Sequence, residues 1–152
     1  RLARAEERAL RSWLYSPVGA SGSLGAALSE VVATTEVDYD ARIDLVTVGE
    51  AMVDDRIAAL VAATREAVVN AAKHAGAPAT VYAEVDEQQV EVNVRDRGCG
   101  FEQSAIGEDR HGVRESIVAR MEAAGGSATV RTAPGEGTEV RLVLPVGGGQ
   151  DA

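Results

Sequence analysis

The sequence predicts an α+β fold: a two-layer sandwich with one sheet and helices covering one of its faces. Three observations lead there. Short runs with alternating apolar residues come in adjacent pairs. Val81, Ala83 and Val85 precede Val90, Val92 and Val94, and Ala128 to Thr132 precedes Thr138 to Pro145. Longer stretches with helical spacing separate these pairs. A doubly wound parallel sheet would instead need a helix between most of its strands.

The elements follow in order. Leu2, Ala9, Leu10, Trp13 and Leu14 lie among Arg and Glu and give an amphipathic helix at 1–16, read as the tail of a longer one. Residues 17–23 are rich in Ser, Gly and Pro and read as a linker. A folded unit is expected over 24–146. Its first helix runs from Leu24 to about Glu36 with Leu24, Ala27, Leu28, Val31 and Val32 inward, and a strand covers Arg42 to Val48. Asp54 suits the N-cap of a long helix reaching about Ala75, stopped by Gly76 and Pro78. Ile57, Leu60, Val61, Thr64, Val68 and Ala71 form its apolar stripe. Between the first two paired strands, Asp86-Glu-Gln-Gln89 makes a hairpin turn. Glu102 to Arg110 is polar and aperiodic, which predicts a mobile loop, and Gly112 opens a helix that Gly125-Gly126 ends. Pro134-Gly-Glu-Gly137 turns the last hairpin, and 147–152 is a frayed tail.

Composition narrows the function classes. With 152 residues and 45% hydrophobic content the chain can build one core, but at 3% aromatics that core must be aliphatic. A net charge of -9 argues against a nucleic-acid surface. The lone Cys99 has no companion for a disulfide or a metal site, which points to a reducing, cytoplasmic setting. No apolar run approaches the length of a membrane span. The chain opens on Arg1 within a helical pattern, so it reads as part of a longer protein.

Two stretches can carry chemistry. Asp96-Arg-Gly-Cys-Gly-Phe101 delivers an aspartate from a strand into a turn with two glycines. The carboxylate can accept from an amino group, and glycines let backbone approach a ligand, although Asp-x-Gly also marks ordinary turns. On the long helix Glu66, Asn70, Lys73 and His74 share one side. That stripe is either a solvated face with cations near the helix end, or a metal and phosphate face. In the second case Asn offers Mg²⁺ a neutral oxygen, Lys a point charge for phosphate, and Glu a hold on a water.

Taken together the motifs resemble the GHKL ATPase superfamily. Arg65-Glu-Ala-Val-Val-Asn-Ala-Ala-Lys-His74 resembles its N box, and Asp96-Arg-Gly-Cys-Gly100 its first glycine box. His111-Gly-Val-Arg-Glu-Ser-Ile117 resembles the second, and Gly137-Thr138 the terminal Gly-Thr. The short segment between glycine boxes is similar to sensor histidine kinases of the nitrate and lipid-fluidity group, and Arg-Glu-Ser-Ile to their actinobacterial members. The resemblance implies the Bergerat fold, a mixed sheet covered by three helices, with ATP and Mg²⁺ as ligands. It implies Asp96 on the adenine amino group with Thr138 sharing a water, and Asn70 on Mg²⁺. Glu66 falls near the metal-bound water or γ-phosphate, so Glu66 and Asn70 are the implied catalytic pair. Lys73 falls beside the phosphates, and His74 after it serves either packing or a phosphate contact. Gly98, Gly100, Arg110, Gly112 and Val113 fall around the nucleotide and its lid.

One position departs from the pattern. The second box usually begins Gly-x-Gly, and here Arg110 stands first. An arginine there can reach phosphate or hinder lid closure. His111 reads as a solvated histidine, and Cys99 carries no assigned chemistry. Both histidines lie inside ATPase motifs, so the phosphoacceptor is expected on a dimerisation domain of which 1–16 is the end. The implied partners are that domain and a response regulator, with this chain monomeric and the longer protein a homodimer. Two alternatives share the boxes: an anti-sigma-factor-type serine kinase, and a degenerate nucleotide-sensing module that binds partners without transferring phosphate.

Overall fold

The computed structural model describes residues 22–74, 78–97, 108–133 and 137–146, with the backbone alone for His74, residues 108–111, Val113 and Ala133. The readings of 1–16, the tail and the two glycines of the first box fall outside these residues. Three helices, α1 (Leu24–Tyr39), α2 (Asp55–His74) and α3 (Glu108–Ala123), accompany five strands. These are β1 (Ile43–Val48), β2 (Ala79–Val85), β3 (Gln89–Asp96), β4 (Ser127–Ala133) and β5 (Gly137–Pro145). The sheet order is β1-β2-β3-β5-β4, with β1 parallel to β2 and every other pairing antiparallel. The expected mixed sheet under three helices is what the chain adopts.

Local chemistry explains the helix ends. The Ser23 hydroxyl accepts from the Ala26 N–H and caps α1. Asp54 caps α2, as expected, by accepting from the Ile57 N–H at 2.8 Å. At the end of α3 Gly125 takes φ +90°, and the Gly126 N–H bonds back to the Met121 carbonyl at 2.7 Å. Helix α1 extends beyond Glu36 to Tyr39, where Asp40 in the left-handed region stops it. At the end of the expected linker, Ser23 bridges Met52, and the Val53 N–H bonds to the Gly22 carbonyl.

The core lies between sheet and helices. Leu28, Leu60, Val68, Val81, Val90, Val92, Leu142 and Leu144 are fully buried. Each such side chain stabilises by about 1.5–3 kcal/mol. Among the described residues no aromatic is buried, as the composition required. Arg56 fixes three elements together from the start of α2. Its Nε donates to the Ala124 carbonyl at 2.9 Å and its Nη2 to the Pro145 carbonyl at 2.6 Å. Among the described residues no helix is long and apolar enough to cross a membrane.

The sheet face opposite the core is polar. There Arg141 holds Glu91 with two hydrogen bonds, of 2.8 and 3.2 Å, and the Asn93 amide adds a third at 2.9 Å. Arg141 and Asn93 hold the Glu91 carboxyl below its ordinary 4.5. A depressed carboxyl contributes stability that is present above the ordinary value and lost as pH falls through the folded one. Glu91→Gln is therefore expected to lower the unfolding temperature slightly at neutral pH. The gap to the parent chain should close as pH drops below 4.5. A gap that persists at pH 2.5 would show that charge pairing is not its source.

Candidate functional site

The site is built where the ends of β3, β4 and β5 meet. Residues alternate across a strand, so Val90, Val92, Val94 and Asp96 all face the helices. Asp96 closes that series as a carboxylate only 7% exposed. Its cross-strand neighbours are Ala79 on β2 and Thr138 on β5, and Thr138 in turn lies opposite Thr132 on β4. One row, Ala79–Asp96–Thr138–Thr132, therefore crosses four strands. The Thr132 and Thr138 hydroxyl oxygens are 3.0 Å apart.

Gly137 makes this row possible. Its φ is +79°, and a Cβ built there would overlap the backbone carbonyl of Asp96 and approach the Arg97 Cα to 3.3 Å. Only a residue without a side chain lets β5 start this close to the end of β3.

The second half of the site lies on α2. Spacings of four and three bring Glu66, Asn70 and Lys73 into one groove of about 730 Å³, together with Arg65, Asp38 of α1 and Arg120 of α3. The apolar residues Leu60, Ala67, Val68 and Ala71 point the other way, into the core. Glu66 is not an idle surface carboxylate. Its Oε1 accepts from the Ser116 hydroxyl at 3.1 Å and from Arg120 Nε at 3.2 Å, and it lies 3.1 Å from Arg120 Nη2. Ser116 and Arg120 are four residues apart, so one face of α3 presents both. These contacts were missed in the sequence. The spacing was visible there, but nothing in it indicated which residue of α2 they would meet.

Connectivity relates the two halves. Only residues 75–78 separate the end of α2 from Ala79, the neighbour of Asp96. Asn70 and Lys73, expected on the phosphate side, thus sit at the α2 end that leads to the aspartate row. His74 is the last residue of α2, and its side chain lies outside the described residues, as do Gly98 and Gly100. Arg110, Gly112 and Val113 fall inside α3, and the side chains of Arg110 and Val113 are likewise not described.

This corrects one expectation. Gly112 does not open the helix; it is preceded by four helical residues, Glu108 to His111, so 108–110 are not loop. Two acidic residues, Glu108 and Asp109, suit the positive end of the helix dipole, and one interior glycine costs only about 1 kcal/mol. Polarity without periodicity was therefore a poor sign of a loop there. A Cβ at Gly112 would meet nothing within 4 Å.

The donor set fits the ligands that the motifs imply. Asp96 and Thr138 offer oxygen acceptors at a nearly buried sheet end, suited to an amino-bearing base. Among the described residues no group of three His, Cys, Asp or Glu could hold a metal alone. A divalent ion beside Asn70 would instead share its shell with phosphates and water, as Mg²⁺ does.

Comparison with solved structures finds the same sandwich architecture in histidine kinases. A mycobacterial sensor histidine kinase, MprB, superposes with a TM-score of 0.65 at 17% identity, over 82% of this chain and 95% of that one. The ATP-binding domain of PrrB from Mycobacterium tuberculosis gives 0.66 at 22%, over 82% and 94%. A blue-light-activated histidine kinase from Erythrobacter litoralis, EL346, gives 0.67 at 20%, over 86% of this chain but 44% of its own. At these identities the likeness is one of fold. A search of curated protein sequences finds no match. The chain belongs to the histidine kinase-, DNA gyrase B- and HSP90-like ATPase family, which matches residues 55–148.

Proposed function

We propose that the chain is the ATP-binding catalytic domain of a two-component sensor histidine kinase. It would present the γ-phosphate of Mg·ATP to a histidine on a dimerisation domain, from which a response regulator takes it. The observation that carries this reading is the pairing of an acceptor row around Asp96 with a groove holding Glu66, Asn70 and Lys73 at the adjoining end of α2. Asp96 accepts from the adenine amino group, and Thr138 shares that contact. Asn70 gives Mg²⁺ a neutral oxygen, Lys73 offsets phosphate charge, and Glu66 orients a water. Ser116 and Arg120 hold Glu66 in place. Bound ATP supplies the transferable phosphoryl group. Neither His74 nor His111 accepts it.

Labelled ATP tests the proposal. The chain should bind Mg·ATP yet remain unlabelled alone, and should become acid-labile-labelled only when a histidine-bearing dimerisation domain is supplied in cis. Stoichiometric label on His74 or His111, or none in the longer protein, would overturn it. Asn70→Ala separates the two halves of the site. It should weaken Mg·ATP binding by about tenfold or more while metal-free ADP binding changes little. Equal losses in calorimetry would remove Asn70 from the metal.

A further inference from the structure

Strand β1 lies at one end of the sheet order, and its pairing with β2 shows which of its backbone groups face away from the sheet. The Ala79 N–H bonds to the Arg42 carbonyl, and the two strands run parallel. Successive residues of a strand turn their N–H and C=O groups to opposite sides. Asp44, Val46 and Val48 therefore turn theirs toward β2, whereas Ile43, Leu45 and Thr47 turn theirs outward. The Ile43 N–H donates to the Glu36 carboxylate at 2.9 Å. Among the described residues nothing bonds to the outward groups of Leu45 and Thr47. Edge strands are commonly guarded by Lys, Pro or a bulge. Ile43-Asp-Leu-Val-Thr-Val48 has neither Lys nor Pro, and its one charge, Asp44, stands near its start. Val46 and Val48 are 47% and 46% exposed on the sheet face opposite the core, and Val46 lies beside Tyr82 of β2. The other edge strand, β4, carries Arg131.

We propose that β1 docks on β1 of a second copy of this chain, antiparallel about a two-fold axis at Val46, and joins two five-stranded sheets into one of ten. The strand is complementary to itself in this register. Leu45 pairs with Thr47 of the second copy and Thr47 with its Leu45, which satisfies all the outward groups of both residues. Val46 meets Val46, and Asp44 meets Val48 instead of another Asp44. The row Tyr82–Val46–Val46–Tyr82 then crosses the axis, an aromatic and β-branched set of the kind that stabilises paired strands. Neighbouring registers fit less well. One centred on Leu45 needs the Ile43 N–H that Glu36 already holds, and one centred on Thr47 sets Leu45 against Gly49, whose φ is +82°. Because the axis runs perpendicular to the sheet, both helical layers lie on the same side. Two short strands make a small interface, so association is weak and rises with concentration. The net charge of -9 on each chain opposes it, so salt strengthens it.

Sedimentation equilibrium of the whole chain tests this, over a wide concentration range and at low and high salt, beside a thermal melt. The parent chain should form a dimer that tightens with salt. Val46→Lys and Val46→Glu each set two like charges against one another across the axis, with Cα atoms about 4.5 Å apart. Each should weaken association at least about tenfold, and an equimolar mixture of the two should recover it, since Lys then faces Glu. Val46 is half exposed, so both variants should melt like the parent. Val48→Lys is the second position: it faces Asp44 of the second copy and should strengthen the dimer. A chain that stays monomeric at every concentration overturns the proposal. So does a dimer that both Val46 variants leave unchanged, which is made by another surface. Species larger than a dimer, or a mixture no tighter than either variant alone, overturn it as well.

Discussion

Asp96→Asn is expected to reduce ATP affinity by roughly ten- to a hundred-fold while leaving the fold intact. The carboxylate closes the inward series of β3 and is almost fully buried beside Thr138. A hydrogen bond to a charged acceptor contributes about 1.5–3 kcal/mol, which converts to that loss. The amide is nearly isosteric but can turn a donor toward the base, so the preference for ATP over GTP should relax as well. Stability should change little, because the backbone pairing of Asp96 with Ala79 and Thr138 does not depend on its charge. Calorimetry with both nucleotides, beside a melt, reads both effects. Near-parental ATP affinity in a folded variant would remove Asp96, and with it the base side of the site.

Gly137→Ala should damage both stability and binding. The residue sits at φ +79°, where a Cβ is strained, and that Cβ would press on the Asp96 backbone carbonyl. Relief requires β5 to move away from the end of β3, which displaces Thr138 from Asp96. Strain and repacking together should cost about 2–4 kcal/mol. In a chain of this length that lowers the melting temperature on the order of 10 °C. ATP affinity should fall with it, even at temperatures where the variant is fully folded. A variant with an unchanged melt and unchanged binding would show that the close approach of the two strands is dispensable. Gly112→Ala is the contrast: open space surrounds that position, so its melt should not fall.

Much of this architecture could be read along the chain because it is local. The two hairpins, β2–β3 and β4–β5, follow from a period of two interrupted by turn residues, and their registers involve residues close in sequence. The α2 stripe and its Asp54 cap depend only on spacing within one helix. The same holds for Glu66, Asn70 and Lys73, whose common face is a property of helical geometry. What could not be read is where separate elements meet. Strand β5 inserts between β3 and β4, and that choice alone puts Thr138 and Thr132 in line with Asp96. The packing of α3 on α2 brings Ser116 and Arg120 to Glu66 across 50 and 54 residues of chain. Such contacts depend on the summed burial of many side chains, and no short window of sequence contains both partners. The start of α3 was misplaced for a related reason. Its first turn is polar and gives no apolar period to read, so the helix has to be inferred from its ends and from the core that Ile117 and Met121 join. Local periodicity thus determined the elements and their inward faces, whereas the order of strands and the seating of helices determined which polar groups share a site.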